Sequence, residues 1–462
     1  MSVRRTIDLV QQFAWSFHPK TLPPMLRANY ARELVSWMFL PLMLGAVEGG
    51  TVAIIVKKSF EGAPGVSAVW LDVAVAISAA APNVANLTSF AWAALSHGRA
   101  KVPFIAALQL ATAILVALIA AVPTNAFGLA SLVALVFLAR TTWTGVITIR
   151  TAVWGANYPR ADRARIAGKM ATVQSLALAL VGFGIGIAMD YDESAFHWLF
   201  PLAAVGGLFG NSIYRKVRLR GQRRLARAEL DGRAEHRPTL SPISIVRVLH
   251  HDARYRRFMS CMFIFGLGNL MLAAPLAIVL NDGFHVTYLE GILISAAIPA
   301  LMMPLSIPAW SKLLDRRHVI EFRAIHSWSF VLASLLQFLG AALHRIEYFW
   351  VAALATGVAY GGGALAWNLG HHDFAPAHRD SEYMGVHVTL TGLRGLMAPF
   401  LAVGIYKWFD SAGESGGGGG GFWVFAVCLV LNLIGAIGFV RMRTALRRAR
   451  EAGDPHAIAR GH

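Results

Sequence analysis

The chain has 462 residues, of which 56% are hydrophobic and 15% charged, and its formal net charge is +17. Average soluble domains are about 25% charged, and a soluble chain of this length would divide into several domains with charged surfaces. The composition excludes that class. It also excludes the basic stripe that nucleic-acid binding requires, because the charges sit in short segments between long apolar windows.

Windows such as Phe104–Pro123 and Ala126–Ala139 hold no charged residue, and about 20 apolar residues cross a bilayer as a helix. Twelve spans are expected, at 33–58, 67–95, 102–122, 127–152, 168–190, 195–214, 258–280, 288–312, 323–343, 347–370, 384–408 and 421–442. The fold class is an all-α membrane protein of twelve transmembrane helices. With the N-terminus inside, cytoplasmic segments hold 35 of the 42 Lys and Arg residues, and the opposite face holds four: Lys57, Lys58, Arg345 and Lys407. This asymmetry is the positive-inside signature. It puts both termini in the cytoplasm and the chain in the cytoplasmic (inner) membrane.

In chain order, residues 1–32 form a cytoplasmic N-terminal segment in which Thr6–His18 reads as a helix lying on the membrane surface. No apolar core with a small-residue cleavage site precedes span 1, so no removed signal peptide is expected. Residues 33–214 carry six spans. The stretch 215–257 is a basic cytoplasmic linker holding thirteen Lys and Arg. Residues 258–442 carry six more spans, and 443–462 form a basic tail that continues from span 12 and meets anionic lipid.

The two six-span halves repeat each other. Met38-Phe39-Leu40 and Ala53-Ile54-Ile55 recur as Met262-Phe263-Ile264 and Ala277-Ile278-Val279, 224 positions on. Ala80, Pro82, Ser89 and Arg99 match Ala297, Pro299, Ser306 and Arg316, now 217 positions on, as do Pro159 and Gly168 with Pro376 and Gly385. A constant offset over several helices marks an internal repeat. Six spans per copy give both copies one orientation, hence a pseudo-twofold axis along the membrane normal.

On these features the chain resembles the major facilitator superfamily over essentially its whole length. The family signature after helices 2 and 8 is a Gly, three residues, Asp-Arg, one residue, Gly, then basic residues. The second copy here keeps Asp315-Arg316-Arg317, with Ser311 where Gly is usual. The first reads Ser96-His97-Gly98-Arg99-Ala100-Lys101 and lacks the acidic member. The resemblance implies a cytoplasmic gate built on Arg99, Lys101, Asp315, Arg316 and Arg317. It also implies a central cavity lined by spans 1, 4, 7 and 10.

Charges within spans are expensive and mark functional positions. Glu48 stands in span 1 between Gly45 and Gly49-Gly50, and Arg140 in span 4. At about 1.5 Å per residue their depths differ by roughly 10 Å, which side-chain reach can close. Glu48 is the proton-coupling candidate and Arg140 its partner, or itself a substrate ligand; a purely structural ion pair is the competing reading. Asn269 of span 7 and Tyr360, Trp367 and Asn368 of span 10 suit recognition of a small organic solute. Arg394 of span 11 joins them, unless it snorkels to the inner interface. Arg150, nearer the inner end of span 4, reads as interfacial. Cys261 and Cys428 read as apolar fillers. His250-His251-Asp252 and His371-His372-Asp373 lie at helix ends without zinc-site spacing, so no metal is expected.

Neither a nucleotide loop nor a paired nucleophile and base is present, so the chain is not expected to be an enzyme or to use a cofactor. The expected function is secondary transport by alternating access of a small organic solute, polar or anionic because the interior charge is mostly positive. Coupling to a proton and a monomeric state are expected. The competing reading is a non-transporting scaffold or assembly factor of the same fold.

Overall fold

The computed structural model describes residues 14–231, 248–374, 380–414 and 420–452. Among the described residues every regular element is helical. Eleven helical segments are long and apolar enough to cross a membrane. A twelfth, Phe196–Tyr214, has the length but carries His197, Pro201 and Asn211 inside it.

Span 1 comprises Pro24–Ala46 and Gly49–Ser59, span 2 Ala68–Val84 and Ser89–Ser96, span 3 Lys101–Leu118, span 4 Ala126–Asn157, span 5 Arg160–Tyr191 and span 6 Phe196–Tyr214. Span 7 comprises Ala253–Met271 and Ala273–Asp282, and span 8 runs from Tyr288 to Arg316 through a π-turn at Leu293–Ala297. Span 9 is Val319–Ala342, span 10 Ile346–Leu369, span 11 Asp380–Glu414 and span 12 Trp423–Glu451.

In the first half, span 1 packs on spans 5 and 6, and span 4 on spans 2 and 3. In the second half, span 7 packs on spans 11 and 12, and span 10 on spans 8 and 9. Adding six to each number converts one set of neighbours into the other, which is the expected two-bundle repeat. Small residues let the helices approach: a Cβ on Gly210 of span 6 would stand 2.8 Å from the Leu40 nitrogen of span 1. The Ser36 hydroxyl donates to the Gly210 carbonyl at 2.9 Å across the same crossing.

The two halves meet along spans 2 and 11, along spans 5 and 8, and where the second segments of spans 1 and 7 touch. The linker and its basic neighbours define one end of the molecule, called here the basic end. The opposite end is the far end.

Several boundaries differ from expectation. Span 1 starts at Pro24, inside the segment expected as a tail, because proline at the first helical turn loses no hydrogen bond and has its φ preset. Span 9 starts at Val319, four positions before the expected start at residue 323, with the His318 Nδ1 accepting from the Ile320 N–H at 3.2 Å. Span 7 starts at Ala253, where the Asp252 carboxylate accepts from the Tyr255 N–H at 2.8 Å. Asp373 likewise accepts from the Val319 N–H at 2.6 Å. Both His-His-Asp sequences thus supply helix caps, as the orphan N–H groups of a first turn require. The surface helix expected over Thr6–His18 falls mostly outside the described residues, and so does most of the later linker. The early linker is docked on the first half: Asn29 and Arg32 donate to the Arg218 and Lys216 carbonyls, each at 2.8 Å.

Candidate functional site

Span 1 is interrupted at mid-membrane. Val47 ends its first helix, and Glu48 is extended, with φ −71° and ψ 137°, as the cap of the second. The glycines around it explain the break, since they support a helix poorly and leave no side chain between neighbouring elements. A Cβ on Gly49 would come within 2.5 Å of the Ala79 carbonyl oxygen of span 2. Span 7 breaks at Leu272, the position 224 residues after Glu48. There the cause is Pro275, which has no N–H to offer the Met271 carbonyl. Broken helices at corresponding depths are a recurrent device for building sites at the bilayer centre.

Glu48 and Arg140 meet. The Arg140 guanidinium donates to Glu48 Oε2 at 2.9 Å, and only 9% of the Arg140 side chain is exposed against 35% for Glu48. Glu48 also stands at the N-terminus of the second helix of span 1, where the helix dipole favours negative charge. Tyr360 of span 10 lies within electrostatic reach of Glu48 from the other half and is 46% exposed although it sits mid-span. Its ring rests on Phe330 at 5.9 Å. An ion pair on one half and an open tyrosine on the other therefore face a common space.

The remaining expected residues are placed differently from one another. Asn368 is exposed and donates to the Ala364 carbonyl of its own helix at 2.8 Å. Trp367 turns to span 11, its indole N–H 3.4 Å from the Thr391 hydroxyl. Asn269 lies one turn beyond Gly266, whose Cβ position abuts the Arg394 guanidinium, and its side-chain carbonyl is buried without a hydrogen-bond partner. Arg394 is buried at 3% exposure. It donates to the Met262 carbonyl of span 7 and to the Leu390 carbonyl and Thr391 hydroxyl of its own helix, so it does not snorkel.

Arg150 is not interfacial either. Its guanidinium lies over Trp37 at 4.0 Å and over Trp154 at 4.4 Å, and the Trp154 N–H donates to the buried Glu33 carboxylate at 2.7 Å. At the basic end, Lys101 is buried and donates to the Ser96 carbonyl at 2.6 Å, and Arg99 lies 5.7 Å from the Phe104 ring. Arg316 and Arg317 are exposed. The side chain of Asp315 falls outside the described residues.

A second polar group was not foreseen. At the far end Lys57 of span 1 pairs with Asp72 of span 2 at 2.9 Å and with Asp282 of span 7 at 3.0 Å. Asp72 also takes Lys407 of span 11 at 2.5 Å. Lys58 donates to Asn281 at 3.3 Å and to the Val286 carbonyl at 2.7 Å, and Asn281 donates to Glu61 at 2.7 Å. Asp190 of span 5 accepts from the Tyr288 and Leu289 N–H groups that open span 8. Hydrogen bonds and ion pairs join the two halves at mid-membrane and in this far part. The sequence did hold a signal: Asp72 is an acidic residue within an expected span.

The family model of the Major Facilitator Superfamily matches residues 34–399. Among solved structures the chain is similar to the nucleoside transporter NupG, with a TM-score of 0.64 and 11% identity over 90% of this chain and 98% of that one. It is similar to the peptide transporter POT in complex with sulfate, with a TM-score of 0.63 and 15% identity over 90% and 94%. It is also similar to a D-xylose-proton symporter, with a TM-score of 0.63 and 11% identity over 89% and 96%. No curated protein matches the chain by sequence. The neighbours share its fold, and the family match covers most of its length: this chain is a multi-pass membrane protein that belongs to the major facilitator superfamily.

Proposed function

We propose that the protein is a secondary transporter that moves a small polar or anionic organic solute by alternating access, in exchange or in company with a proton. The observation that carries this reading is the Glu48–Arg140 pair at the mid-membrane break of span 1, with Glu48 one-third open. Protonation of Glu48 releases the Arg140 guanidinium, and a solute carboxylate or hydroxyl takes its place. Deprotonation restores the pair. Tyr360 supplies an aromatic face and a hydroxyl from the opposite half, and Asn368 a further amide nearer the basic end. Ion pair and solute compete for one guanidinium, and that competition couples the two fluxes.

The rocking units are 33–214 and 258–442, joined by 215–257. In this reading the protein sits in the inner membrane with its basic end in the cytoplasm, an orientation supported by the Lys and Arg asymmetry. The Lys57–Asp72–Lys407 and Lys57–Asp282 bridges then form the outer seal. The state described is closed to the outside, with Arg99, Lys101, Asp315, Arg316 and Arg317 at the gate that opens inward. The protein works as a monomer, since each chain holds both halves of its site.

The reading is tested by a thermal-shift screen of purified protein against nucleosides, dipeptides, pentoses and organic anions at two pH values, followed by uptake of each hit into proteoliposomes. A solute that stabilises the wild type and accumulates under an imposed proton gradient supports it. Hits that bind but never cross the membrane refute it.

A further inference from the structure

In the second half two arginines are buried without a counter-charge among the described residues. Arg323 of span 9 and Arg394 of span 11 are each 3% exposed. They lie within each other's electrostatic reach, and His387 of span 11 lies within reach of both. The hydrogen-bond partners of Arg394 are two backbone carbonyls and the Thr391 hydroxyl. Among the described residues the one hydrogen-bond partner of Arg323 is His326, whose Nδ1 is 3.2 Å from the guanidinium.

The chemistry of His326 fixes its charge. Its Nε2 stands 2.8 Å from the Ala359 carbonyl oxygen, so Nε2 donates there. Nδ1 must accept from Arg323, because a guanidinium has no lone pair to offer. His326 is therefore neutral. The nearest carboxylate along span 9, Glu321, lies on the other face and is held by Arg450 at 3.1 Å. The first half differs, for Arg150 there has Glu33 within reach.

Two guanidinium charges without an acid are costly in a membrane domain. The cluster also keeps unused donors. Arg323 Nε is a donor buried without a hydrogen-bond partner, and His387 Nε2, a donor in one of its two tautomers, is likewise buried and unpartnered. Space has been made for these groups. A Cβ on Gly362 would strike the His326 ring at 2.2 Å, and one on Gly266 would strike the Arg394 guanidinium. Trp367 closes one side, its ring 5.7 Å from that of His387.

We propose that this cluster is a buried oxyanion site, taking one phosphate, sulfate or carboxylate group between Arg323, Arg394 and His387. Guanidinium groups bind such anions through paired N–H donors, and a bound anion supplies the charge that no described residue does. Arg323 lies about one turn from the basic end of span 9, so either a free anion from that side or a lipid phosphate can reach it.

The test uses the full-length protein purified in neutral detergent without anionic lipid. Inorganic phosphate is expected to raise the melting temperature saturably, by a few degrees, above a sodium chloride control of equal ionic strength. Arg323→Met is expected to remove the saturable part. A rise with inorganic phosphate identifies a free anion, and a rise only with short-chain phosphatidic acid identifies a lipid headgroup. A shift in neither arm, or an equal shift in Arg323→Met, overturns the proposal. Should that variant not fold, equilibrium binding of radiolabelled phosphate to the wild type decides. One phosphate site competed by sulfate supports the proposal, and no saturable binding of either phosphate or short-chain phosphatidic acid overturns it.

Discussion

Lys57 of span 1 and Asp282 of span 7 form a 3.0 Å ion pair across the interface between the two halves, and Asp72 carries the network on to Lys407 at 2.5 Å. Lys57 and Asp72 are both buried. Removing Asp72 leaves Lys57 with Asp282 alone and takes from Lys407 its partner across the interface, and the loss of that contact falls on the state in which the far end is closed. Asp72→Asn should therefore shift the population toward a state open at the far end. Spin labels at exposed Tyr191 and Leu343 should report a longer distance. An unchanged distribution would mean that the network contributes nothing to the closed state.

The same shift should follow from shape alone. A Cβ on Gly186 of span 5 would stand 2.8 Å from the Leu289 Cα of span 8, and a backbone atom has little room to yield. Gly186→Val should part the seam between spans 5 and 8 and lengthen the same distance with every ion pair intact. If the label distance stays put, the close approach of these two spans does not hold the far end shut.

The Glu48–Arg140 pair was legible in the sequence because so few charges interrupt the spans. Two of opposite sign on neighbouring helices at similar depth have few other partners. The repeat was legible too, and its offset of 224 carries the Glu48 break onto Leu272. The breaks themselves were not anticipated, although Gly49-Gly50 and Pro275 are sufficient physical causes. The far-end network is hard to read in the sequence because Lys57, Lys58 and Lys407 stand at the ends of their expected spans, where a lysine reads as a charge that sets orientation. Arg323 is hard to read for a related reason: its helix starts at Val319 rather than 323, which turns the first residue of an expected span into one buried a turn inside it. Burial of a long side chain depends on where the helix begins, and caps made by His318 and Asp373 have no strong sequence signature.

Arg140→Met should cost less than a fully buried pair would, because Glu48 is one-third open and solvent screens it. A double-mutant cycle of Arg140→Met with Glu48→Gln, read from melting temperatures, should give a coupling of about 0.5–3 kcal/mol. The double variant should be more stable than Arg140→Met alone. Additive effects would show that the two groups do not depend on each other.

His318, which caps span 9, carries a pH signature. Burial pushes its imidazole below the ordinary value, against an opposing pull from Asp373, 3.8 Å away. A base held neutral in the fold binds fewer protons there than in the unfolded chain, so its contribution is intact above its ordinary value near 6.5 and declines as pH falls below it. Melting curves between pH 7.5 and 5 should fall less steeply for His318→Asn, which keeps a capping oxygen, than for the wild type. Parallel curves would remove His318 as the source.

The most direct test of the account is proton movement through Glu48. Proteoliposomes loaded with a pH-sensitive dye, given a solute identified by the thermal-shift screen, should show solute-driven proton flux with the wild type. Glu48→Gln should abolish that flux while solute exchange without net proton movement continues. Proton flux of wild-type size in Glu48→Gln would contradict the assignment of Glu48 as the proton carrier.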